Sequence, residues 1–203
     1  RSKKNSSIYK GLEFAKKNQN AGFVSSGSTA AIMVLSRLHM GMIKGIDRPA
    51  IASYLPNQKG KSTCLLDLGA NSDCTAEHLL QFAIMGAMLV TALSKKKNPT
   101  LGLLNIGSEE IKGNETVKQA SLLLKKSHLN FLGNVEGDDI FKGTADVIVT
   151  DGFVGNIALK TTEGLAHMLG YFLSEEYKKN IFTKFMALIS LPVLRAFKKR
   201  VDP

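Results

Sequence analysis

The chain has 203 residues, a net charge of +10 and a hydrophobic fraction of 44%. That size and apolar content exclude a disordered segment and support one large α/β domain, or two lobes sharing a sheet. Two cysteines with no CxxC or Cys/His spacing argue against a disulfide framework or a zinc module, and fit a reducing cytoplasm.

Residues 6–17 read as a helix that closes on Lys16 and Lys17. Lys95–Lys97 and Lys125–Lys126 close helical patterns in the same way. Cations complement the negative end of a helix, so much of the basic charge is accounted for without an acidic partner.

"AGFVSS", residues 21–26, predicts a first buried strand, followed by a helix over 29–43. Between them, Ser25, Ser26, Gly27, Ser28 and Thr29 are read either as a helix cap or as an anion site on free backbone N–H groups. Gly27 favours the site, because glycine lets a ligand approach the backbone.

"KGKST", residues 59–63, mimics the end of a phosphate-binding P-loop. Leu55 stands where the first glycine is needed, and the segment follows a turn at Pro56 and leads into a strand. Nucleotide binding is rejected on that ground. The second strand is "STCLLDLG", and Asp67 stands at its end. A carboxylate there is costly unless it caps a helix, orients a hydroxyl or binds a metal. Asp73 is read as the cap of a helix over 76–95 that carries Glu77 and His78.

"LGLLNIG" is the third strand, and "NIGSEEIKGNE" follows it. That loop is read either as a mobile lid or as a solvated turn whose Asn114 caps a helix over 114–127. "LNFLG" is the fourth strand and runs into "GNVEGDD"; "ADVIVTDG" is the fifth. In "DGFVGNIALK" Asn156 is expected to cap a helix over 156–173, with Gly152 and Gly155 allowing close approach. Lys160 then falls near the first turn, where a cation is disfavoured unless it answers an anion or pairs with Glu163.

The four histidines lack a Ser or Cys partner at a diagnostic spacing, and no GxSxG elbow is present. No apolar run reads as long enough to span a bilayer. Residues 185–194 are nevertheless almost free of polarity, bracketed by Lys184 and Arg195 and followed by Lys198, Lys199 and Arg200. They are expected to meet a membrane surface or a protein partner, with Pro192 breaking the helix. An α/β core over 1–173 and a helical segment over 174–203 follow. Both ends read as interior to a longer protein.

Strands apolar on consecutive residues and alternating with helices imply a parallel-rich sheet with helices on both faces. Antiparallel pairing is expected, if anywhere, among the last elements. The loops after the strands then share the carboxyl edge of the sheet, where ligands bind in open α/β folds.

These loops, in this order, resemble the phosphate acyltransferase PlsX family. The stretches that carry the resemblance are "SSGSTAA", "LLDLGANSDC", "EHLLQFAIMGA", "GLLNIGSEEIKGNE", "NFLGNVEGDDIF" and "DVIVTDGFVGNIALKTTEG". Together they cover nearly the whole chain. One departure is Ser28-Thr29-Ala30-Ala31, where the family usually shows Asn-Thr-Gly-Ala; serine has a shorter reach and Ala30 adds a methyl group.

The resemblance implies the layered fold shared by phosphotransacetylases and by isocitrate and isopropylmalate dehydrogenases. It implies transfer of a fatty acyl group from acyl carrier protein to inorganic phosphate, giving acyl phosphate for phospholipid synthesis without a metal or other cofactor. Lys160, Asn156 and Asp67 are the implied catalytic residues. Ser26, Gly27, Ser28 and Thr29 are implied substrate contacts in the first loop, and Gly69 and Asn71 in the second. Asn105, Asn114 and Asn134 follow, then Asp151, Gly152 and Gly155. The implied partners are acyl carrier protein, a second copy of the chain, an anionic membrane surface and a membrane glycerol-phosphate acyltransferase. The setting is the cytoplasmic face of a membrane. Nucleic acid is not expected, since no base-stacking motif accompanies the basic charge. The alternatives are a short-chain phosphotransacylase using acyl-coenzyme A, and a non-catalytic lipid-binding or dimeric relative.

Overall fold

The computed structural model describes residues 5–18 and 20–201. Among them, one five-stranded sheet has the order β1-β2-β5-β3-β4. Its strands are β1 (Ala52–Pro56), β2 (Ser62–Leu66), β3 (Thr100–Leu104), β4 (Asn130–Val135) and β5 (Val147–Val149). The helices are α1 (Ser7–Lys17), α2 (Thr29–Met40), α3 (Ala76–Ser94), α4 (Glu115–Lys126), α5 (Asp139–Lys142), α6 (Gly152–Lys178) and α7 (Ile181–Val201).

Strands β2, β5, β3 and β4 run parallel, and β1 joins β2 antiparallel at one edge. The antiparallel pairing therefore lies early in the chain, not among the last elements as the sequence suggested. "KGKST" is part of this hairpin. The Asn57 side-chain oxygen accepts from Lys59 N and Lys61 N at 3.1 and 3.2 Å, and Asn57 N donates to Lys61 O at 2.9 Å.

Side-chain alternation sorts the core into two layers. Cys64, Leu66, Val147 and Val149 face α3 and α4, together with Phe82 and Leu124. Leu65 and Ile148 face the other side, with Leu68, Val135 and Ile140. Gly86 lets α3 lie close on the sheet, since a methyl group there would meet Val147 Cγ1 at 2.6 Å. By length and composition α3 is apolar enough to cross a membrane, at a mean hydropathy of 1.5, contrary to the sequence reading. Its buried residues, Phe82 and Ala83 among them, belong to the sheet-facing core.

"AGFVSS" forms no strand. Val24 is 96% exposed, and Phe23 instead lies against Gly11 of α1. A strand needs a neighbour for its backbone groups, and this segment has none beside it among the described residues.

The longest departure is α6. It starts at Gly152 and not at Asn156, and Asp151 is its cap, accepting from Val154 N at 2.9 Å. It runs through residue 173 to Lys178, so the segment expected from 174 begins inside this helix. Helix α7 packs back on α6 and passes through Pro192 without ending there. Proline removes one backbone donor, and the good helix formers on both sides continue the helix.

Candidate active site

Strands β2, β5 and β3 are adjacent and parallel, so the helices that follow them begin side by side at one edge. Each has its own cap. Thr75 Oγ1 accepts from His78 N ahead of α3, and His78 Nδ1 accepts from Thr75 N. Asn114 Oδ1 accepts from Val117 N ahead of α4. Asp151 caps α6. The Asn114 cap is the one expected; Thr75, not Asp73, caps α3, and its partner is a histidine in place of the usual Glu or Gln.

Beneath these helix starts lies the loop after β2. Asp67 is fully buried. Its Oδ1 accepts from Ile51 N at 3.0 Å and Ala70 N at 3.1 Å. Its Oδ2 accepts from the backbone and side-chain nitrogens of Asn71, both at 2.8 Å. Four donors satisfy a charge that would otherwise be very costly to bury. Asn71 Nδ2 also donates to Pro49 O at 2.8 Å, and Asn71 O accepts from Gly152 N at 2.8 Å. Gly69 has φ +115 and lies against the Asn156 side chain.

The two glycines of "DGFVGN" serve this packing. A methyl group at Gly152 would meet Asn71 O at 2.6 Å, and one at Gly155 would lie 1.8 Å from Asp67 O. The open backbone seen in the sequence is needed so that α6 can rest on the β2 loop. Asp67, Gly69, Asn71, Asp151, Gly152, Gly155 and Asn156 thus come together.

Above the loop is a polar pocket of about 310 Å³. Cys74, Asn114, Thr116, Asp151 and Val154 line it, contributed by all three helix starts. Helix N-termini carry partial positive charge and first-turn N–H groups beyond those taken by the caps, which favours an anion, while the Asp73 and Asp151 carboxylates in the lining oppose one. Arg48 lies at the same edge and donates to Asp73 O at 2.7 Å. Burial pushes the Cys74 thiol up to about 11; the Gly152 amide lowers it, and Asp151 and Asp67 raise it further. At neutral pH this group is a thiol, unsuited to attack a thioester. Cys74 and Thr116 were not among the residues singled out in the sequence; the signal was the Ser/Thr/Asn/Asp chemistry at neighbouring helix starts.

Other expected residues lie apart. No hydrogen bond joins residues 25–29 to the β2 loop or the start of α6 among the described residues; Gly27 N bonds Ser25 Oγ at 3.1 Å. Ser28 precedes α2 without a side-chain capping bond. Lys160 is more than two turns into α6, not in its first turn, and pairs with Glu163 at 2.6 Å. Asn105 and Asn134 are engaged with the segment between β3 and α4. Asn105 Nδ2 donates to Lys112 O at 3.0 Å and Asn134 Nδ2 to Glu109 O at 3.2 Å.

A parallel-rich α/β sheet with its pocket at the carboxyl edge defines the class, and solved structures share the fold. The EutD phosphotransacetylase from Staphylococcus aureus aligns with a TM-score of 0.59 at 17% identity, over 79% of this chain and 56% of that one. A phosphotransacetylase from Streptococcus pyogenes aligns at 0.62 and 20% identity, over 79% of this chain and 55% of that one. The model of the family described as "Fatty acid synthesis protein" matches residues 1–203, and the chain belongs to that family. It is similar to the phosphate acyltransferase of Delftia acidovorans, at 56% identity over the whole of this chain and 60% of that protein. The phosphate acyltransferase of Paraburkholderia xenovorans is 58% identical, over the whole of this chain and 55% of that protein. The chain thus spans somewhat more than half the length of these relatives.

Proposed function

We propose that the chain carries the phosphate-binding part of an acyltransferase that moves a fatty acyl group from acyl carrier protein to inorganic phosphate. The observation that carries this is the convergence of three helix N-termini on one polar pocket, in a chain similar to phosphate acyltransferases. An oxygen of hydrogen phosphate attacks the thioester carbonyl, the carbon–sulfur bond breaks, and the proton lost by the phosphate ends on the departing sulfur, leaving acyl phosphate and the carrier thiol. Phosphate is already a nucleophile. The protein's task is to position it and to stabilise the oxyanion that develops on the carbonyl. Fixed backbone dipoles suit both tasks, because they do not have to reorganise during the reaction.

Within this reading Asp67 holds the floor of the site. Asn156, packed on Gly69, and Lys160, paired with Glu163, do not line the pocket, and their part in the reaction is assigned by the family resemblance alone. The loop from Ser26 to Thr29 and the Gly69–Asn71 turn are assigned to substrate by the family resemblance. No metal or other cofactor has a part in this chemistry.

The same reading gives the α6–α7 arm a role. Leu165, Met168, Phe172, Phe185 and Ile189 are all substantially exposed along it. An apolar surface of this extent supports pairing with a second copy and contact with an anionic membrane, aided by Lys198, Lys199 and Arg200. Acyl phosphate is amphiphilic and hydrolyses in water, so release beside a membrane glycerol-phosphate acyltransferase on the cytoplasmic side is chemically sensible.

Thr116→Glu tests the pocket. An acidic residue in the first turn suits α4 itself, so the fold is retained. Its charge should raise the Michaelis constant for phosphate about tenfold or more through like-charge repulsion. An unchanged phosphate dependence would remove the pocket from the reaction.

A further inference from the structure

The segment from Asn105 to Asn114 joins the end of β3 to the cap of α4, and two asparagines fasten it, Asn105 from its own first position and Asn134 from β4. Asn105 Nδ2 donates to Lys112 O near the far end of the segment, and its Oδ1 accepts from the adjacent Ile106 N at 2.8 Å. The adjoining Gly113 has φ +93, and a methyl group there would meet Asn105 Oδ1 at 2.5 Å, so no other residue fits this crossing easily. Asn134, on the neighbouring strand β4, holds the middle through Glu109 O. Two ion pairs, Lys112 with Glu109 and Lys125 with Glu110, lie over the same segment but are exposed and weak.

Asn134 has an unusual feature. Its Oδ1 is buried with no hydrogen-bond partner among the described residues. A buried acceptor left unpaired opposes folding, so stability alone would favour an apolar side chain at this place. The amide is explained by its other end, the donor to Glu109 O.

The geometry points to Asn134 and Asn105 as positioning residues for phosphate, and not as substrate contacts. They latch the 105–114 strap and so fix Asn114 and the first amides of α4 against the pocket. This rests on the phosphate reading of that pocket. Neither asparagine lines the pocket itself. Their effect passes through the backbone of the strap to the Asn114 cap. When the latch is lost, α4 keeps its helix but its first turn no longer sits at a fixed distance from the starts of α3 and α6.

The test uses the full chain and the variants Asn134→Ala, Asn134→Asp and Asn105→Asp. Hydrogen exchange is followed over residues 106–113 and over β5, and inorganic phosphate binding is measured by calorimetry. Exchange over 106–113 should quicken about tenfold in the variants while β5 is unchanged. The phosphate dissociation constant should rise about fivefold or more. Asn134→Ala also removes the unpaired oxygen, so it should open the strap with less loss of global stability than Asn134→Asp. Strap exchange unchanged in all three variants overturns the latch. A loosened strap with unaltered phosphate affinity overturns the positioning role. If the unaltered protein binds no phosphate, the reading of the pocket falls and takes the positioning role with it, while exchange still decides the latch separately.

Discussion

Gly155, at the end of the first turn of α6, lies directly against the backbone carbonyl of Asp67, so that a methyl group on it would stand 1.8 Å from that oxygen. The contact fixes the height of α6 above the β2 loop, and with it the Asp151 wall of the pocket. Gly155→Ala must push the helix off the loop, which should cost about 3 kcal/mol. Gly164 lies in the same helix, and among the described residues nothing comes within 4 Å of the added methyl group. Gly164→Ala should stabilise by about 1 kcal/mol through helix propensity alone. Urea unfolding of the two variants checks the opposite signs; equal effects would show that the contact is unimportant.

Asp146 ties β5 to β3 at the edge away from the pocket. Its Oδ2 accepts from Lys96 Nζ, Thr100 N and Thr100 Oγ1, each at 2.6 Å. Burial, the largest single influence, pushes its carboxyl up, but the bonds from Lys96 and Thr100 together hold it below the usual range. A carboxyl depressed in the folded state adds stability above its unfolded value and loses it as pH falls through the folded one. Asp146→Asn should therefore cost about 2 kcal/mol at neutral pH. The difference from the unaltered protein should shrink below about pH 4. A difference independent of pH would contradict the assignment.

The apolar arm can be tested apart from the pocket. Leu188 and Leu191 line the groove between α6 and α7 and are 64% and 37% exposed. Replacing both by Glu should abolish sedimentation with anionic vesicles while dimer mass, read by light scattering, is retained. Loss of the dimer would assign the surface to subunit pairing. No vesicle binding by the unaltered protein would remove the membrane role.

The parallel strands were legible because each is a short, continuous apolar run bounded by glycine and polar residues. "STCLLDLG", "LGLLNIG", "LNFLG" and "ADVIVTDG" all hold a strand at or near the expected place. β1 was missed because Pro56 looked like a terminator. On an edge strand a proline need not disrupt the ladder, and Asn57 to Lys61 then make an ordinary hairpin turn. "AGFVSS" has strand composition, but composition cannot supply a neighbouring strand. The Asn114 cap could be read locally. The start of α6 could not, because two glycines at a helix start look like a loop until the Asp67 carbonyl pressed against them is seen. The closeness of Asp67 to Gly155 is a tertiary fact, and no spacing in the sequence encodes it.

Acyl transfer to phosphate is tested most directly by incubating the chain with palmitoyl-acyl carrier protein and radiolabelled inorganic phosphate, then measuring label that extracts into organic solvent together with the carrier thiol released. The account predicts extractable labelled acyl phosphate, formed in step with free carrier thiol and saturating with phosphate, with no thiol release when phosphate is omitted and palmitoyl-coenzyme A a much poorer donor. A folded protein that leaves the carrier-protein thioester intact at all phosphate concentrations would contradict it.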